Sequence, residues 1–316
     1  MNPSTLFALA LLRLDGVGRV TTHRLLQHFP TRAALLDTPR EQVLVRLKGV
    51  AKAEALVSRL FDEDAMAPVL DEVRTALQIH AGRHVRVWTP AAPGWPAGLG
   101  LLARAERPVT LYSYGTSALL QQPTVAVLGR AGLSGPAFEA AQALVRHLIG
   151  AGLPVIAGAA DGFDVVMHKL CYTQRHPSVV VAASGLAKLP TSIRPHASAV
   201  VGAGGLVCAP FDMHHGPFAH DDRERALTQA ALAAAVVVVE PQADTPEHKA
   251  LAWALDADRP VFAIAGPDTE ALSERVHRLD RPVDFDWVVA AARTSNEAPL
   301  SDDPLSDDPP ALSSNS

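Results

Sequence analysis

Two patterns of hydrophobic spacing divide the chain. Over residues 4–76, apolar positions recur at helical spacing with short breaks, and the segment LFALALLRL is apolar on nearly all sides. This pattern predicts a small all-helical domain with a well-buried first helix. From Thr124 onward, short runs rich in valine, isoleucine and alanine alternate with amphipathic stretches. This second pattern predicts strands and helices in alternation.

Six apolar runs after residue 123 predict the strands of one sheet. Each run is continuously apolar, which is typical of a parallel strand covered on both faces. The predicted fold class is α/β, a Rossmann-like, mostly parallel sheet with helices on both faces, preceded by the helical domain. Ligands of such sheets bind beyond the carboxyl ends of the strands, where we expect Gly129, Gly158, Gly185 and Glu240. The predicted strands are TVAVLG, LPVIAG, SVVVAAS, GGLVCAP, AAVVVVEP and RPVFAIAG.

A glycine-rich turn near the start of the chain raises the question of DNA contact. In LDGVGRVTTHRLLQHF, one helix is expected to end near Asp15 and a second to start near Val20. The arrangement resembles a helix-hairpin-helix or SAM-like fold, whose glycines allow a tight turn and expose backbone N–H groups to an anion. LKGVAKAEALVSRL looks like a weaker second copy. Contact with DNA phosphates and plain helix packing both remain open.

Breaks in the pattern predict four parts. The last part holds a duplicated PLSDDP, five acidic residues and no basic ones, so we expect a disordered, solubilising tail. The expected parts are a helical domain over 1–76, a Pro/Gly-rich connection over 77–105 with a short edge strand at RVWTP, a Rossmann-like domain over 106–293 and the acidic tail over 294–316.

Charge and cysteine content narrow the class of protein. The formal net charge is −5, and without the tail the chain carries 28 basic and 28 acidic residues, which still permits a local basic groove. Cys171 and Cys208 form no CxxC pair, so we expect buried free thiols in a reducing cytoplasm. The first residues do not resemble a signal peptide, and no apolar run approaches the length of a membrane span. We therefore expect a cytoplasmic protein without membrane contact.

The stretch VIAGAADGFDVVMHKL contains the first candidate site. Gly158 and Gly162, with Gly129 after the preceding strand, would turn backbone N–H groups toward an anion at helix N-termini. Asp164 and His168 are four residues apart on one helix face, and we expect a buried Asp–His pair that braces the loop rather than a catalytic acid and base. The cations expected near the strand ends, as a basic rim for phosphates or as ordinary surface charges, are Arg130, Lys188, Arg194, Arg223 and Arg225.

Several catalytic patterns are absent from the sequence. It contains no Walker GxxxxGK[ST] loop and no GxSxG elbow, so we expect neither ATP hydrolysis nor a serine hydrolase. The histidine-rich MHHGPFAHDD has a spacing that matches no standard zinc pattern, and we expect a surface loop there, with His214, His215, His220 and Asp221. No catalytic residue, cofactor or metal is expected.

An ordered series of motifs resembles one bacterial family. VIAGAADGFDVVMH resembles the SG-x-A-x-GID-x-x-AH signature of the DNA-processing protein A family (DprA, also called Smf). WPAGLGLLARAERPVTLYSYG, VAVLGRAGLSG, VVVAASGLAKLPTSI and the last two strands follow in the family's order, over roughly residues 5 to 267. The resemblance implies a Rossmann-like pocket that holds phosphates of single-stranded DNA. It also implies a homodimer that passes DNA to the RecA recombinase during DNA uptake in natural transformation.

The segment FAHDDRERALTQAALA departs from the family's F-x-x-RNR pattern. Phe218, Arg223 and Arg225 match it, but Glu224 stands for the asparagine, and Asp221 and Asp222 add negative charge where phosphate would approach, together with Glu224. Two alternatives therefore stay open. One is a divergent relative that acts as a protein-interaction module without DNA binding. The other is a nucleotide-binding, phosphoribohydrolase-like enzyme of the same superfamily, although that group's PGGxGTxxE motif is absent.

Overall fold

The computed structural model describes residues 2–264, 266 and 273–295, which form a helical N-terminal region followed by an α/β region. The helices are α1 (Pro3–Leu12), α2 (Arg19–His28), α3 (Arg32–Leu36), α4 (Arg40–Arg46), α5 (Ala53–Phe61), α6 (Glu63–Gly82), α7 (Ala97–Gly100), α8 (Gly135–Gly150), α9 (Phe163–Thr173), α10 (Ala197–Gly202), α11 (Asp221–Leu232), α12 (Pro246–Asp256) and α13 (Phe285–Thr294). The strands are β1 (Val85–Trp88), β2 (Leu111–Gly115), β3 (Val125–Leu128), β4 (Val155–Ala157), β5 (Ser178–Val181), β6 (Leu206–Ala209), β7 (Ala235–Val239), β8 (Val261–Ile264) and β9 (His277–Leu279).

All nine of these strands belong to one sheet. Their order is β1-β2-β6-β5-β4-β3-β7-β8-β9. Within that order, the last seven strands, β6-β5-β4-β3-β7-β8-β9, run parallel to one another. The six predicted strands are all present, so the predicted mostly parallel sheet is confirmed. The edge strand expected at RVWTP is β1, which pairs antiparallel with β2. Strand β9 was not predicted, because HRL is short and mostly polar.

Helices cover both faces of the sheet, as predicted. Alternate residues of each strand point to opposite faces: Val125 and Val127 join a core with α8, α9 and α13, whereas Ala126 and Leu128 join a core with α11 and α12. Every residue of strands β3 to β8 is buried. This double burial explains why these strands are continuously apolar.

The connections create a crevice at the carboxyl edge of the sheet. Strand β3 leads into α8 on one face, whereas its neighbour β7 leads into α12 on the other. The loops that leave β3 and β7 therefore diverge, which is the arrangement at which α/β sheets bind ligands. The loop after β4, which begins with Gly158, lies beside this crevice because β4 pairs with β3.

The helical region packs against the sheet through its own core. Phe7, Leu25 and Met66 share that core with Tyr112 of β2 and Met213 after β6. Helix α6 continues to Gly82, six residues past the expected end of the helical domain, so regular structure extends into the expected connection. Of the expected acidic tail over 294–316, residues 296–316 lie outside the described residues.

Two further predictions, on the cysteines and on membrane-spanning helices, can be compared with the structure. Cys171 and Cys208 are buried free thiols, and burial raises the pKa of each to about 12. Among the described helices, none has the length and apolar character needed to cross a membrane.

Candidate nucleic-acid interface

The loop after β4 folds tightly around Gly158. A Cβ at this position would lie 2.7 Å from Nη1 of Arg225 and closer still to Oδ2 of Asp164, so the glycine is required by side chains packed onto the loop. Asp164 is buried, and its Oδ2 accepts the backbone N–H of Ala160 at 3.0 Å. Burial raises the pKa of Asp164, against the opposing charge of Arg225. The carboxylate therefore holds the loop from inside the protein.

The expected Asp164–His168 pair is wrong. His168 is fully buried and its two ring nitrogens have other partners: Nε2 lies 2.9 Å from the carbonyl oxygen of Gly158, and Nδ1 lies 3.0 Å from Oγ of Ser178. A carbonyl only accepts, so Nε2–H donates to Gly158 and the Ser178 hydroxyl donates to Nδ1. Burial lowers the pKa of His168 to about 4, so the ring is neutral at pH 7. His168, on α9, thus joins the loop after β4 to the start of β5.

Arg225 lies inside the protein and not on the basic rim where the sequence placed it. It is 5% exposed, and its guanidinium pairs with Glu247 at 3.0 Å and Asp222 at 3.1 Å and donates to Oε1 of Gln229 at 2.6 Å. Burial disfavours its charge, but the carboxylates of Asp164, Glu247 and Asp222 outweigh burial and raise the pKa of Arg225. The helix face that carries Arg225 packs on α12, which brings Glu247 to it.

Carboxylates of the chain occupy the backbone donors at the crevice. Glu240, at the end of β7, accepts the backbone N–H of Ser134 at 3.0 Å as well as the Ser134 hydroxyl, at the start of α8. Asp161 accepts the N–H of Gly162 at 2.8 Å, at the start of α9. Acidic side chains are favoured at helix N-termini for the same reason that anions are. External phosphate at these two helix starts would have to displace them.

Gly129 has a packing partner of its own. A Cβ there would lie 2.7 Å from the ring of Phe163, the residue that stands where the DprA signature has isoleucine. Phe163 is buried and meets Phe138 edge to face, with ring centroids 5.9 Å apart. Arg130, the next residue, is partly exposed; it lies 3.9 Å from Glu240 and donates to the carbonyl of Ala131 at 3.0 Å.

Exposed cations lie in the connection after β5 and at the start of α11, both at the carboxyl edge. Lys188 and Arg194 are both exposed, and Arg194 donates to the carbonyl of Leu189 at 2.6 Å. The loop of Lys188 is joined to residues 212–215 by two backbone hydrogen bonds, Gly185 N–H to His215 O and Ala187 N–H to Met213 O. Arg223, at the start of α11, is half exposed and pairs with Glu106.

A row of contacting rings lies on the segment that is hydrogen-bonded to the Lys188 loop. Phe211 stacks on His215 with centroids 4.5 Å apart, His215 meets Phe218 edge to face at 5.1 Å, and Phe218 stacks on His220 at 5.7 Å. Phe218 is 55% exposed although it is large and apolar. Asp221 supports the row from the interior, because its buried carboxylate contacts His215 and accepts the N–H of Phe218. We call Phe211, His215, Phe218 and His220 the ring row.

The acidic residues that the sequence placed against DNA are all partnered. Asp221 lies under the ring row, Asp222 pairs with Arg225, and Glu224 accepts two hydrogen bonds from Arg19 of α2, at 2.7 and 2.8 Å. The segment around His214 is a surface loop, and within the described ranges no group of three or more His, Cys, Asp or Glu residues is arranged to hold a metal ion.

Sequence reasoning missed several of the residues that build this site. Arg19, Glu247, Gln229 and Phe163 received no role. Arg19 and its partner Glu224 are 205 residues apart, so no local pattern connects them. Gln229 and Glu247 are nearer in sequence to Arg225, at 4 and 22 residues, but they contact it only because Arg225 points into the interior.

The fold and the site define a Rossmann-like α/β protein with a helical N-terminal region and a rim of cations and rings at the carboxyl edge of its sheet. The sequence model of the family described as DNA recombination-mediator protein A matches residues 86–281. The chain belongs to this family, which confirms the resemblance drawn from the motifs.

Individual relatives agree with the family assignment. Protein Smf of Escherichia coli (strain K12) is 27% identical over 180 residues, which are 57% of this chain and 48% of that protein, so the match spans about half of its length. The structure of DNA processing protein A from Streptococcus pneumoniae superposes with a TM-score of 0.56 at 18% identity, over 86% of this chain and 98% of that one. A Helicobacter pylori DNA processing protein A, whose structure concerns its single-stranded DNA binding mode, gives 0.55 at 16% identity, over 66% of this chain and 96% of that one.

Proposed function

We propose that this protein binds single-stranded DNA along the carboxyl edge of its sheet and acts in DNA recombination. Family membership supports the role in recombination, and the relative from Helicobacter pylori has a described single-stranded DNA binding mode. The observation that carries the proposal is the exposed ring of Phe218, on a segment that is hydrogen-bonded to the loop of the exposed Lys188. An aromatic platform next to cations is the combination that binds single strands without reading their sequence.

Phosphates contact the rim in this proposal. Lys188 and Arg194 are exposed and have no ion-pair partner among the residues that the structure describes. Arg130 and Arg223 extend the rim, although each has a carboxylate neighbour. Gly129 and Gly158 let the loops at the crevice pack closely on interior side chains, and Gly162 takes a positive φ before α9. Arg225 supports the rim from inside by fixing α11.

Bases stack on the ring row. Phe218 and His220 present nearly parallel rings, with an interplanar angle of 1°, on a loop whose start is tied to the Lys188 loop. A base that stacked on Phe218 would cover apolar surface that is now exposed to water. Such stacking contributes about 1–3 kcal/mol per base. The ring row therefore supplies affinity that salt does not screen.

The biological role follows the family. We propose that the protein hands single-stranded DNA to the RecA recombinase during DNA uptake in natural transformation, as a homodimer, and that it works by binding rather than by catalysis. The partners of His168 support the last point, since both ring nitrogens hold the fold together. The division into a helical domain (1–76), a connection (77–105) and a Rossmann-like domain (106–293) is part of this proposal.

A gel shift with a fluorescent oligothymidylate tests the proposal. We expect the parent protein to bind at low salt and to lose affinity as salt rises. Lys188→Ala with Arg194→Ala should weaken binding and reduce the slope of log affinity against log salt by about 0.7 for each phosphate that the variant no longer neutralises. Phe218→Ala should weaken binding about tenfold with the salt slope unchanged.

Arg146→Ala is the matched control, because Arg146 is exposed near the end of α8, at the opposite edge of the sheet. It removes one positive charge and should leave binding unchanged. Absence of binding by the parent at low salt would contradict the proposal and favour an interaction module without DNA binding. Release of a free base from a nucleoside monophosphate would favour the phosphoribohydrolase-like alternative.

A further inference from the structure

A polar cavity opens between the helical region and the segment before β2. It has a volume of about 670 Å³, which is within the usual range for sites that hold a small molecule of nucleotide size. The cavity is separate from the ring row, with which it shares no lining residue. It is lined by His23, Leu26, Gln27, Pro90, Ala91, Leu101, Leu102, Ala103, Arg104 and Arg107.

The lining of this cavity is positively charged. It contains Arg104 and Arg107, and none of the described residues that line it is acidic. Arg104 is exposed and forms no ion pair with any described residue. Arg107 donates through Nε and Nη2 to the carbonyl of Leu102, at 3.2 and 3.1 Å, which fixes the plane of its guanidinium. Two arginines in a lining that contains no carboxylate favour the binding of an anion.

His23 places a neutral ring on the inner side of the cavity, with its one N–H already used within the chain. Its Nε2 lies 3.0 Å from the carbonyl of Arg107, so the ring donates there and orients the same segment. Burial, and then the charges of Arg107, Arg19 and Arg104, lower the pKa of His23 to about 4, and the imidazole is neutral at pH 7. The side chain of Gln27 is exposed at the rim and adds an amide donor.

The remaining wall is apolar. Leu26 and Leu102 are buried, and Leu101, Pro90 and Ala91 complete a surface that offers no hydrogen-bonding side chain. A ligand that fills the cavity therefore needs a strongly anionic end for the arginines and a flat or apolar part for this wall. A nucleotide combines the two, since its phosphate suits guanidinium groups and its base has apolar faces.

The topology places the cavity at the same edge as the ring row. Strand β2 is antiparallel to β6, and β1 is antiparallel to β2, with Trp88 paired to Leu111 and Tyr112 paired to Ala209. The residues after β1 and before β2 consequently lie at the carboxyl edge of the parallel strands. The contact of Arg223 with Glu106 joins this segment to the start of α11.

We propose that this cavity is a binding site for a 5′-phosphate monoester of a nucleotide, with Arg104 and Arg107 on the phosphate and the leucine and proline wall on the base. The nucleotide is either free or the terminal residue of a DNA strand, since both present the same chemistry. The site goes beyond the proposed function, because binding along the ring row does not require it.

Calorimetric titration of the full chain with deoxythymidine 5′-monophosphate tests the site. We expect binding by the parent and binding at least about tenfold weaker by deoxythymidine, which lacks the phosphate. Arg104→Ala should weaken binding of the monophosphate about tenfold, and Gln27→Glu, which adds a negative charge at the rim, should weaken it by a similar factor. Both positions are exposed, so both variants should fold as the parent does. Arg146→Ala, at the opposite edge, should bind as the parent does.

Competition with oligothymidylate then identifies the source of the nucleotide. Displacement by a 5′-phosphorylated strand but not by its 5′-hydroxyl counterpart supports the site and assigns it to a strand end, whereas displacement by neither supports a free nucleotide. Equal displacement by both would assign an internal phosphodiester and overturn the proposal. So would the absence of monophosphate binding, or equal binding by Arg104→Ala and the parent. Phe218→Ala, which tests the ring row, should leave monophosphate binding unchanged.

Discussion

Buried polar side chains determine the shape of the loop at Gly158. Asp164 holds the backbone of Ala160, and His168 holds the carbonyl of Gly158 itself. Asp164 and His168 do not hydrogen-bond to each other, because both ring nitrogens of His168 have other partners. A neutral histidine that bridges this loop and β5 gives the fold a dependence on pH, because protonation would force Nδ1 to become a donor and lose the hydrogen bond from Ser178.

We predict that His168 makes the protein less stable as pH falls from neutral to about 5. Its pKa is about 4 in the folded chain and 6.5 for an ordinary histidine, so between these values only the unfolded chain binds the proton. Stability is fully present above 6.5 and is lost as pH falls toward 4, by about 2 kcal/mol at pH 5. Urea unfolding at both pH values should show the parent approaching the His168→Gln variant in stability.

His214→Gln is the control for this experiment, because His214 is exposed. That variant should keep the pH dependence of the parent. His23 has a similarly lowered pKa and remains in every variant, so some dependence on pH persists throughout. Parallel stability curves for the parent and His168→Gln would contradict the assignment.

At the scale of elements, helix α11 combines two functions on its two sides. Arg225 faces inward to Glu247 of α12, whereas Arg223, two residues earlier, faces outward to Glu106. Residues two apart on a helix point to different sides. The RER sequence therefore places one arginine in the interior and one at the surface, although the two are chemically identical.

We predict that the two arginines differ strongly in their contribution to stability. Arg225→Met leaves buried carboxylates without their counter-charge and should lower the free energy of unfolding by about 3–5 kcal/mol. Arg223→Met, on the same helix, should lower it by about 1 kcal/mol or less. Urea unfolding measures both. Adding Glu247→Gln to Arg225→Met should recover part of the loss, and similar losses for the two single variants would contradict the burial of Arg225.

At the scale of the whole molecule, polar contacts join the helical region to the α/β region. Arg19 of α2 binds the carboxylate of Glu224 with two hydrogen bonds and also donates to the carbonyls of Ala105 and Glu106. Tyr112 donates to Asp212, which also pairs with Arg13 of α1. Arg19, near the turn of the expected helix-hairpin-helix, is therefore used for packing within the chain. Of the two interpretations of that hairpin, DNA contact and helix packing, Arg19 favours helix packing.

We predict a measurable coupling between Arg19 and Glu224. The side chains are 29% and 19% exposed, and burial raises the pKa of Glu224, although the charge of Arg19 opposes this shift. A double-mutant cycle with Arg19→Ala and Glu224→Ala should give a coupling free energy of about 1 kcal/mol or more by urea unfolding. The same cycle on Arg275 and Asp258, which are 56% and 89% exposed, should give close to zero. Equal coupling energies in the two cycles would contradict the role given to Arg19.

The parts of the site that could be predicted from the sequence are those that follow from the order of elements. Gly129, Gly158 and Glu240 were expected at strand ends and lie there, because a continuously apolar run ends where the chain leaves the core. The inner position of Arg225 and the partners of His168 could not be predicted in this way. Both depend on how helices cross the sheet, and no local pattern records that crossing.

The sequence by itself determined the class of fold, the six central strands and the family. Burial on both faces requires continuous apolar runs, and such runs and the glycine spacing are local patterns of the sequence. Only the tertiary structure decided which charges remain available to a ligand. Carboxylates and guanidinium groups far apart in sequence pair when the elements pack, and desolvation makes a buried charge without a partner costly. Lys188, Arg194 and Arg104 are among the exposed cations that this pairing did not use.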